Sequence, residues 1–319
     1  MIVERKVEAN RIWIFSAFAF GIAWTIDLVA YLTGGLTDVR MGSLSWALLV
    51  TSMAAPTLAH LLTRLVTREG WHNLYLHPRL KRGWRFWVLA WLGTPLLVFL
   101  GAGLFYALFP HYLDKNLSAV QQLLDQARAA GRAVPVGPAT YLVIQVVQAI
   151  LVGPLIVGPA TFGEEFGWRA YLLPKLMPLG GRKAVIVLGV VWGVWHWPII
   201  AMGHNYGLDY PGAPWLGLLA MVWFTLVAGT FLAWLTLNAG SVWPAVIGHA
   251  AINSYAALGA FLSRGQPNPL LGPLATGVIG SLPFAVLALM LVVGSRTLAE
   301  RQEFGQEPSQ PSELAHRGV

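Results

Sequence analysis

In the segment TFGEEFGWRAYLLPKL, residues 161–176, adjacent carboxylates Glu164 and Glu165 precede Arg169 in an otherwise apolar stretch. On a helix Glu165 and Arg169 stand four apart with the acid N-terminal, the favoured arrangement for an ion pair. Glu164 points about 100° away around the axis. Glu165 is thus expected to hold Arg169, leaving Glu164 free for chemistry. Downstream, WGVWH puts Trp192 and His196 on one helical face, and HAAIN does the same for His249 and Asn253. A carboxylate in a low-dielectric pocket is a competent general base for water, particularly when a histidine shares that water. A histidine with an amide side chain can donate hydrogen bonds to the oxyanion that develops on a peptide carbonyl. The set suits hydrolysis without a covalent nucleophile.

The elements that must position these groups are membrane helices. Of 319 residues, 56% are hydrophobic and 11% charged, with a mean hydropathy of +0.60. Apolar stretches long enough to cross the hydrocarbon core are expected at 11–33, 44–63, 86–109, 139–162, 184–202, 215–237, 242–262 and 274–294. The fold class is therefore all-α: a polytopic bundle of about eight transmembrane helices enclosing a polar cavity. In the fourth span, Gly153-Pro154 and Gly158-Pro159 should kink or break the helix, with the motif helix continuing towards Leu173. Measured along each helix, Glu164 lies roughly 16 Å above Lys175 and His196 roughly 20 Å above Lys183. His249 and Asn253 lie roughly 12 and 18 Å above Ser241. Three helices thus bring polar side chains to similar depths, which favours one shared site. Trp192 and Trp195 crowd around His196 and are candidate pocket walls. Trp84, Trp87, Trp168, Trp215 and Trp243 fall near span ends, where interfacial anchoring is the default.

The absence of cysteine excludes disulfides, a thiolate nucleophile and zinc–thiolate sites. No Walker-type loop, HExxH or dinucleotide fingerprint is present. The net charge of +7 is spread along connections between spans, which fits membrane topology better than nucleic acid, so no nucleic-acid partner is expected. The bias of Lys and Arg places both termini in the cytoplasm, and a multi-pass protein of the cell (plasma) membrane is expected. Residues 1–10 read as a cytoplasmic tail, 11–295 as one integral membrane domain, and 296–319 as a polar, disordered tail. The link 110–138 carries helical spacing at Leu117, Val120, Leu123, Leu124 and Ala127, read as a connector with a short amphipathic helix.

At these residues the sequence resembles the family of CAAX proteases and bacteriocin-processing enzymes, which includes the type II CAAX prenyl endopeptidases. Its motif EExxxR stands here as Glu164-Glu165-Phe166-Gly167-Trp168-Arg169. Its FxxxH stands as Trp192 to His196, with tryptophan replacing phenylalanine, and its HxxxN as His249 to Asn253. The matching region runs from about 140 to 255. The resemblance implies an eight-helix intramembrane protease in which Glu164 and His196 activate water and His249 with Asn253 form the oxyanion hole. It implies Glu165 and Arg169 as supporting residues, and a lipidated or membrane-tethered protein or peptide as substrate, with membrane lipids as surroundings. A metal-free glutamic mechanism is expected, with no cofactor; the alternative is Zn²⁺ held by Glu164, His196 and His249. Two other functions stay open on the residues alone. One is a non-catalytic scaffold or immunity-type protein that keeps the motif for packing; the other is an ion or proton carrier, since buried acids and histidines also line such pathways. Asp27 and His60 have no assigned role, and His204 and Asp209 fall in a loop where solvated roles are expected.

Overall fold

The computed structural model describes residues 7–36, 39–255 and 258–299. Most of the expected N-terminal tail and nearly all of the expected C-terminal tail lie outside the described residues. Within them the chain is helical, and the single isolated bridge, Leu113 with Ser263, is the nearest thing to a strand.

The first half comprises α1 (Ala9–Leu32), α2 (Leu44–Ser52), α3 (Ala55–Val66), α4 (Leu80–Val88) and α5 (Thr94–Leu108). A π turn at Leu89–Gly93 joins α4 to α5. After α6 (Ser118–Ala129) come α7 (Pro138–Leu151) and α8 (Gly153–Gly167), a π turn at Trp168–Leu172, and α9 (Leu173–Leu176). The second half holds α10 (Gly181–Trp195), α11 (Trp197–Ala201), α12 (Trp215–Ala239), α13 (Trp243–Tyr255), α14 (Leu282–Gly294) and α15 (Arg296–Ala299).

Among the described residues five helices are long and apolar enough to cross a membrane, or six when the bent pair around Val152 counts as one span. Eight uninterrupted crossings are not counted among the described residues. Of the expected span 184–202, α10 ends at Trp195 and a separate short helix starts at Trp197; of 274–294, only α14 is helical. The expected break at Gly153-Pro154 is present, with a bend of 50° between α7 and the helix that follows. Proline at the start of α8 supplies no N–H to the preceding helix, so the ladder stops there. Pro159 sits inside α8 without ending it.

At the centre stands α12, apolar throughout and enclosed by other helices along most of its length beyond its first turns. It packs against α10, α13 and α14. On α1, Phe15, Ala19, Ala23, Asp27 and Ala30 form one buried stripe at helical spacing, and the small alanines let α3 approach closely. The motif helix α8 lies between α3 and α13. Two glycines make that fit: a Cβ at Gly163 would come within 2.7 Å of the Met53 carbonyl, and one at Gly167 would collide with Pro56. The break between α2 and α3 is thereby pressed against the segment that carries the acids.

The amphipathic helix expected in the 110–138 link is α6, which buries Val120 and Leu124. Trp168 departs from its expected interfacial place. It is fully buried, packed edge-on against Phe15 at 5.5 Å and Trp195 at 5.9 Å. Trp84 and Trp215, by contrast, are exposed.

Candidate active site

Glu164 and Glu165 come at the end of α8, Arg169 in the π turn, His196 at the C-cap joining α10 to α11, and His249 in mid α13. Glu164 is 2% exposed, Glu165 and Arg169 0%, His249 5% and His196 8%. The polar cavity expected from sequence is thus closed around these side chains, which lie almost wholly inside protein.

Glu165 Oε1 accepts two hydrogen bonds, from Arg169 Nη1 at 2.8 Å and from His249 Nδ1 at 2.8 Å. The first is the i, i+4 pair the spacing implies; the second crosses from α8 to α13. With Nδ1 donating to the carboxylate, His249 turns Nε2 outward from the pair, and its ring is oriented as a carboxylate orients a catalytic imidazole. Arg169 lays its guanidinium over the Trp192 ring, 4.1 Å from the centroid. Its Nε and Nη2, together with Glu165 Oε2, are buried without a hydrogen-bond partner. Such groups are rare in interiors and concentrate at working sites.

Trp192 ties the rest together. Its Nε1 donates to Glu164 Oε2 at 2.8 Å. Its carbonyl accepts from His196 Nδ1 at 2.8 Å, and its ring meets His249 edge-on with centroids 5.3 Å apart. Because a carbonyl can only accept, His196 carries its hydrogen on Nδ1, and Nε2 is left as an acceptor. Glu164 therefore differs from the sequence expectation of an unengaged acid: it has no cation of its own, but one oxygen is held by an indole N–H. Trp195 packs edge-on against His196 at 4.8 Å and donates from Nε1 to the Ala19 carbonyl. Asn253, one turn beyond His249, is exposed and has no hydrogen-bond partner among the described residues.

A His₂Glu zinc set requires Glu164, His196 and His249 to converge on one point at roughly 2.0–2.2 Å. Among the described residues no three His, Asp or Glu side chains are grouped to hold a metal ion. Trp192 and Glu165 engage Glu164 Oε2 and His249 Nδ1, which leaves Glu164 Oε1 and His249 Nε2 outside those bonds.

A second polar cluster sits farther along the same helix. Lys175 donates to Glu69 at 2.5 Å and to Glu8 at 3.0 Å, and Tyr171 Oη donates to Glu69 at 2.9 Å. His60 donates from Nδ1 to the Phe166 carbonyl at 2.8 Å and accepts from Arg64 Nε at 2.7 Å. With both nitrogens engaged, His60 is a neutral bridge that fixes α8 to α3. Asp27 accepts from Ser52 at 3.2 Å, a contact between α1 and α2.

Sequence reasoning missed the Glu165–His249 bond and the donor role of Trp192. The signal for the second was the indole standing where the motif has phenylalanine, which adds one N–H donor at that place.

Comparison with known proteins covers this same region. Residues 138–255 match the family described as type II CAAX prenyl endopeptidase Rce1-like. A 102-residue stretch is 34% identical to CAAX prenyl protease 2 of Methanococcus maripaludis, covering 31% of this chain and 37% of the relative. The matched chain thus spans little more than a third of that relative's length. The matched segment, which is similar to CAAX protease-like proteins, contains Glu164, Glu165, Arg169, Trp192, His196, His249 and Asn253.

Proposed function

We propose that the protein is an intramembrane endopeptidase in which Glu164 and His196 activate a water molecule against a peptide bond. The observation that carries this reading is Trp192, whose indole meets Glu164, His249 and Arg169 and whose carbonyl holds His196, so that polar groups from three helices gather at one place. Glu164 accepts the water's proton through its oxygen, with His196 Nε2 as the neighbouring acceptor. His249, oriented by Glu165, turns Nε2 to the carbonyl. Taken as the imidazolium paired with Glu165, His249 donates its Nε2–H to the oxyanion and keeps that proton throughout, and Asn253 adds an amide N–H from the next turn. The collapse of the tetrahedral intermediate returns the proton to the leaving amine. No metal enters these steps.

The substrate class we infer is a lipid-modified or membrane-tethered protein, cut near the membrane. The relative's name, CAAX prenyl protease 2, supports it. So does the setting of the acids inside an apolar helical bundle. The end of the bundle that gathers Arg11, Arg64 and Lys175 is read as cytoplasmic, in the cell membrane, by the positive-inside bias.

The test is cleavage of prenylated and unprenylated membrane-anchored peptides by purified protein in liposomes, with and without a chelator. Cleavage that survives the chelator and is abolished in Glu164→Gln, with unfolding unchanged, is expected. Undiminished cleavage by Glu164→Gln, or its loss on chelation, overturns the mechanism; transport of ions without cleavage overturns the function.

A further inference from the structure

Away from the acids, three loops meet to form a cavity of about 410 Å³. One is the turn after α5, which carries Tyr112; the second, between α11 and α12, carries Tyr206, Asp209 and Tyr210; the third, before α14, carries Gln266 and Asn268. Backbone pairing holds the first against the third: Asp114 N donates to the Leu262 carbonyl and Arg264 N to the Tyr112 carbonyl, at 2.8 and 2.9 Å. The hydroxyls of Tyr206 and Tyr210 are tied to the carbonyls of Thr276 and Pro214, at 2.9 and 3.3 Å. Both rings are thereby fixed in the wall.

Asp209 is the single charged side chain in the lining, and no hydrogen bond or ion pair engages it among the described residues. Exposed at the cavity, it shares the lining with Tyr112, Tyr206 and Tyr210, a combination that attracts an ammonium group through charge and through the ring faces. The opposite requirement is met beside it. Asn268 Oδ1 accepts from Leu270 N at 3.0 Å, so the amide is anchored by its oxygen and its N–H₂ is left to donate. Gln266 brings a second amide. An acceptor for a cation and donors for an anion share one cavity, and their complement is a zwitterion.

Below the cavity runs an apolar groove formed by Leu216, Leu219, Ala220 and Trp223 of α12 with Leu270 and Val278. The α12 residues fall at i, i+3, i+4 and i+7, one face of the helix. The groove continues the cavity along the chain, since Pro269 lines one and Leu270 the other. Trp215, exposed at the first position of α12, marks the interfacial level at this joint. A polar compartment at headgroup height above an apolar furrow matches one kind of molecule.

We infer that this composite site holds a membrane phospholipid with a zwitterionic ammonium headgroup, ethanolamine or choline, its phosphate at the Asn268 and Gln266 amides and one acyl chain along α12. The inference is independent of the protease reading, since it uses none of the same residues.

Native mass spectrometry of the delipidated full chain tests it, with phosphatylethanolamine-, phosphatidylcholine- and phosphatidylglycerol-type lipids of identical chains added back. One zwitterionic lipid is expected to be retained roughly five- to tenfold over the anionic one, the scale of a single aromatic-walled cation contact. Asp209→Asn should remove that preference, and Leu219→Ser should weaken retention of all zwitterionic lipids. Among the described residues Asp209 has no hydrogen-bond or ion-pair partner, so its variant should keep the parental unfolding temperature. Equal or better retention of the anionic lipid, an unchanged preference in Asp209→Asn, or displacement of the lipid by soluble phosphocholine at equal concentration overturns the assignment.

Discussion

At one end of the motif helix, Glu69 receives Lys175 and Tyr171 directly, with Arg11 at 3.6 Å and Arg64 at 3.9 Å. At the other, Arg169 pairs with Glu165 alone, spends part of its charge on an indole face and leaves two nitrogens unbonded, and among the described residues Glu164 has no ion-pair partner. The first cluster surrounds an acid with cations at the margin of the bundle; the second buries acids in excess of cations at its centre. A clamp is served by saturation, because each added partner fixes another helix: Glu8 and Arg11 belong to the start of α1, Arg64 to α3 and Lys175 to α9. Chemistry needs capacity held back. Groups that can still take or give a proton persist only where packing holds them against the cost of leaving them unpaired.

The contrast can be broken most severely at Glu164. Glu164→Gln should lower kcat/KM for peptide cleavage by roughly 10²–10⁴-fold, the usual worth of a general base, whereas Lys175→Met should leave it within about twofold. Comparable losses in both would erase the distinction between site and clamp. Next comes stability. Arg169→Met leaves Glu165 buried without its cation and should cost about 3–5 kcal/mol in denaturant unfolding in detergent; a cost under about 1 kcal/mol would show the pair to be dispensable.

Trp192→Phe sharpens the comparison inside the site. The ring is kept and the donor to Glu164 is lost, so kcat should fall roughly 10- to 100-fold, matching about 1.5–3 kcal/mol for a hydrogen bond to a charged group. KM and the unfolding transition should hold; a drop in stability equal to the drop in rate would assign Trp192 to packing alone. Lys175→Met should destabilise by about 1 kcal/mol, as expected of a pair close to solvent.

The smallest effect is read by pH. Burial alone would raise the Glu69 carboxyl, but hydrogen bonds from Lys175 and Tyr171 and the charges of Lys175 and Arg64 hold it below the ordinary value. A carboxyl depressed in the folded state stabilises the fold fully above its unfolded pKa, and that contribution fades as pH falls through the folded value. Unfolding temperature should therefore decline on acidification below about pH 4.5, and Glu69→Gln should flatten that decline. An unchanged acid slope in the variant would remove Glu69 from the clamp.

Local rules made part of this arrangement legible in the chain. The Glu165–Arg169 contact follows from i, i+4 spacing, and the break before α8 from Gly153-Pro154. The close approach of α8 to α3 follows from Gly163 and Gly167. Contacts between distant segments were not: His249 lies 84 residues from Glu165, and nothing local aims its Nδ1 there. Hydropathy marked Trp168 as a span-end anchor because composition cannot tell a lipid-facing indole from a buried one. It likewise drew 184–202 as one continuous crossing, since an apolar run carries no sign of the joint at His196. His60 gained its role from Arg64 and the Phe166 carbonyl, partners set by packing rather than by pattern.

The π turn at Trp168–Leu172 has a consequence for the geometry of the whole segment. A π turn acts as one extra residue in an α-helix, and each residue advances the helix by about 100°. Everything beyond it is rotated by that angle from the azimuth an unbroken helix would impose. Tyr171 and Lys175 reach Glu69 on one flank while Glu164 and Glu165 look towards α10 and α13 on another. Excising a single residue there would realign the downstream flank and leave the acids upstream in place, so the phase of one helix decides which neighbours each half addresses.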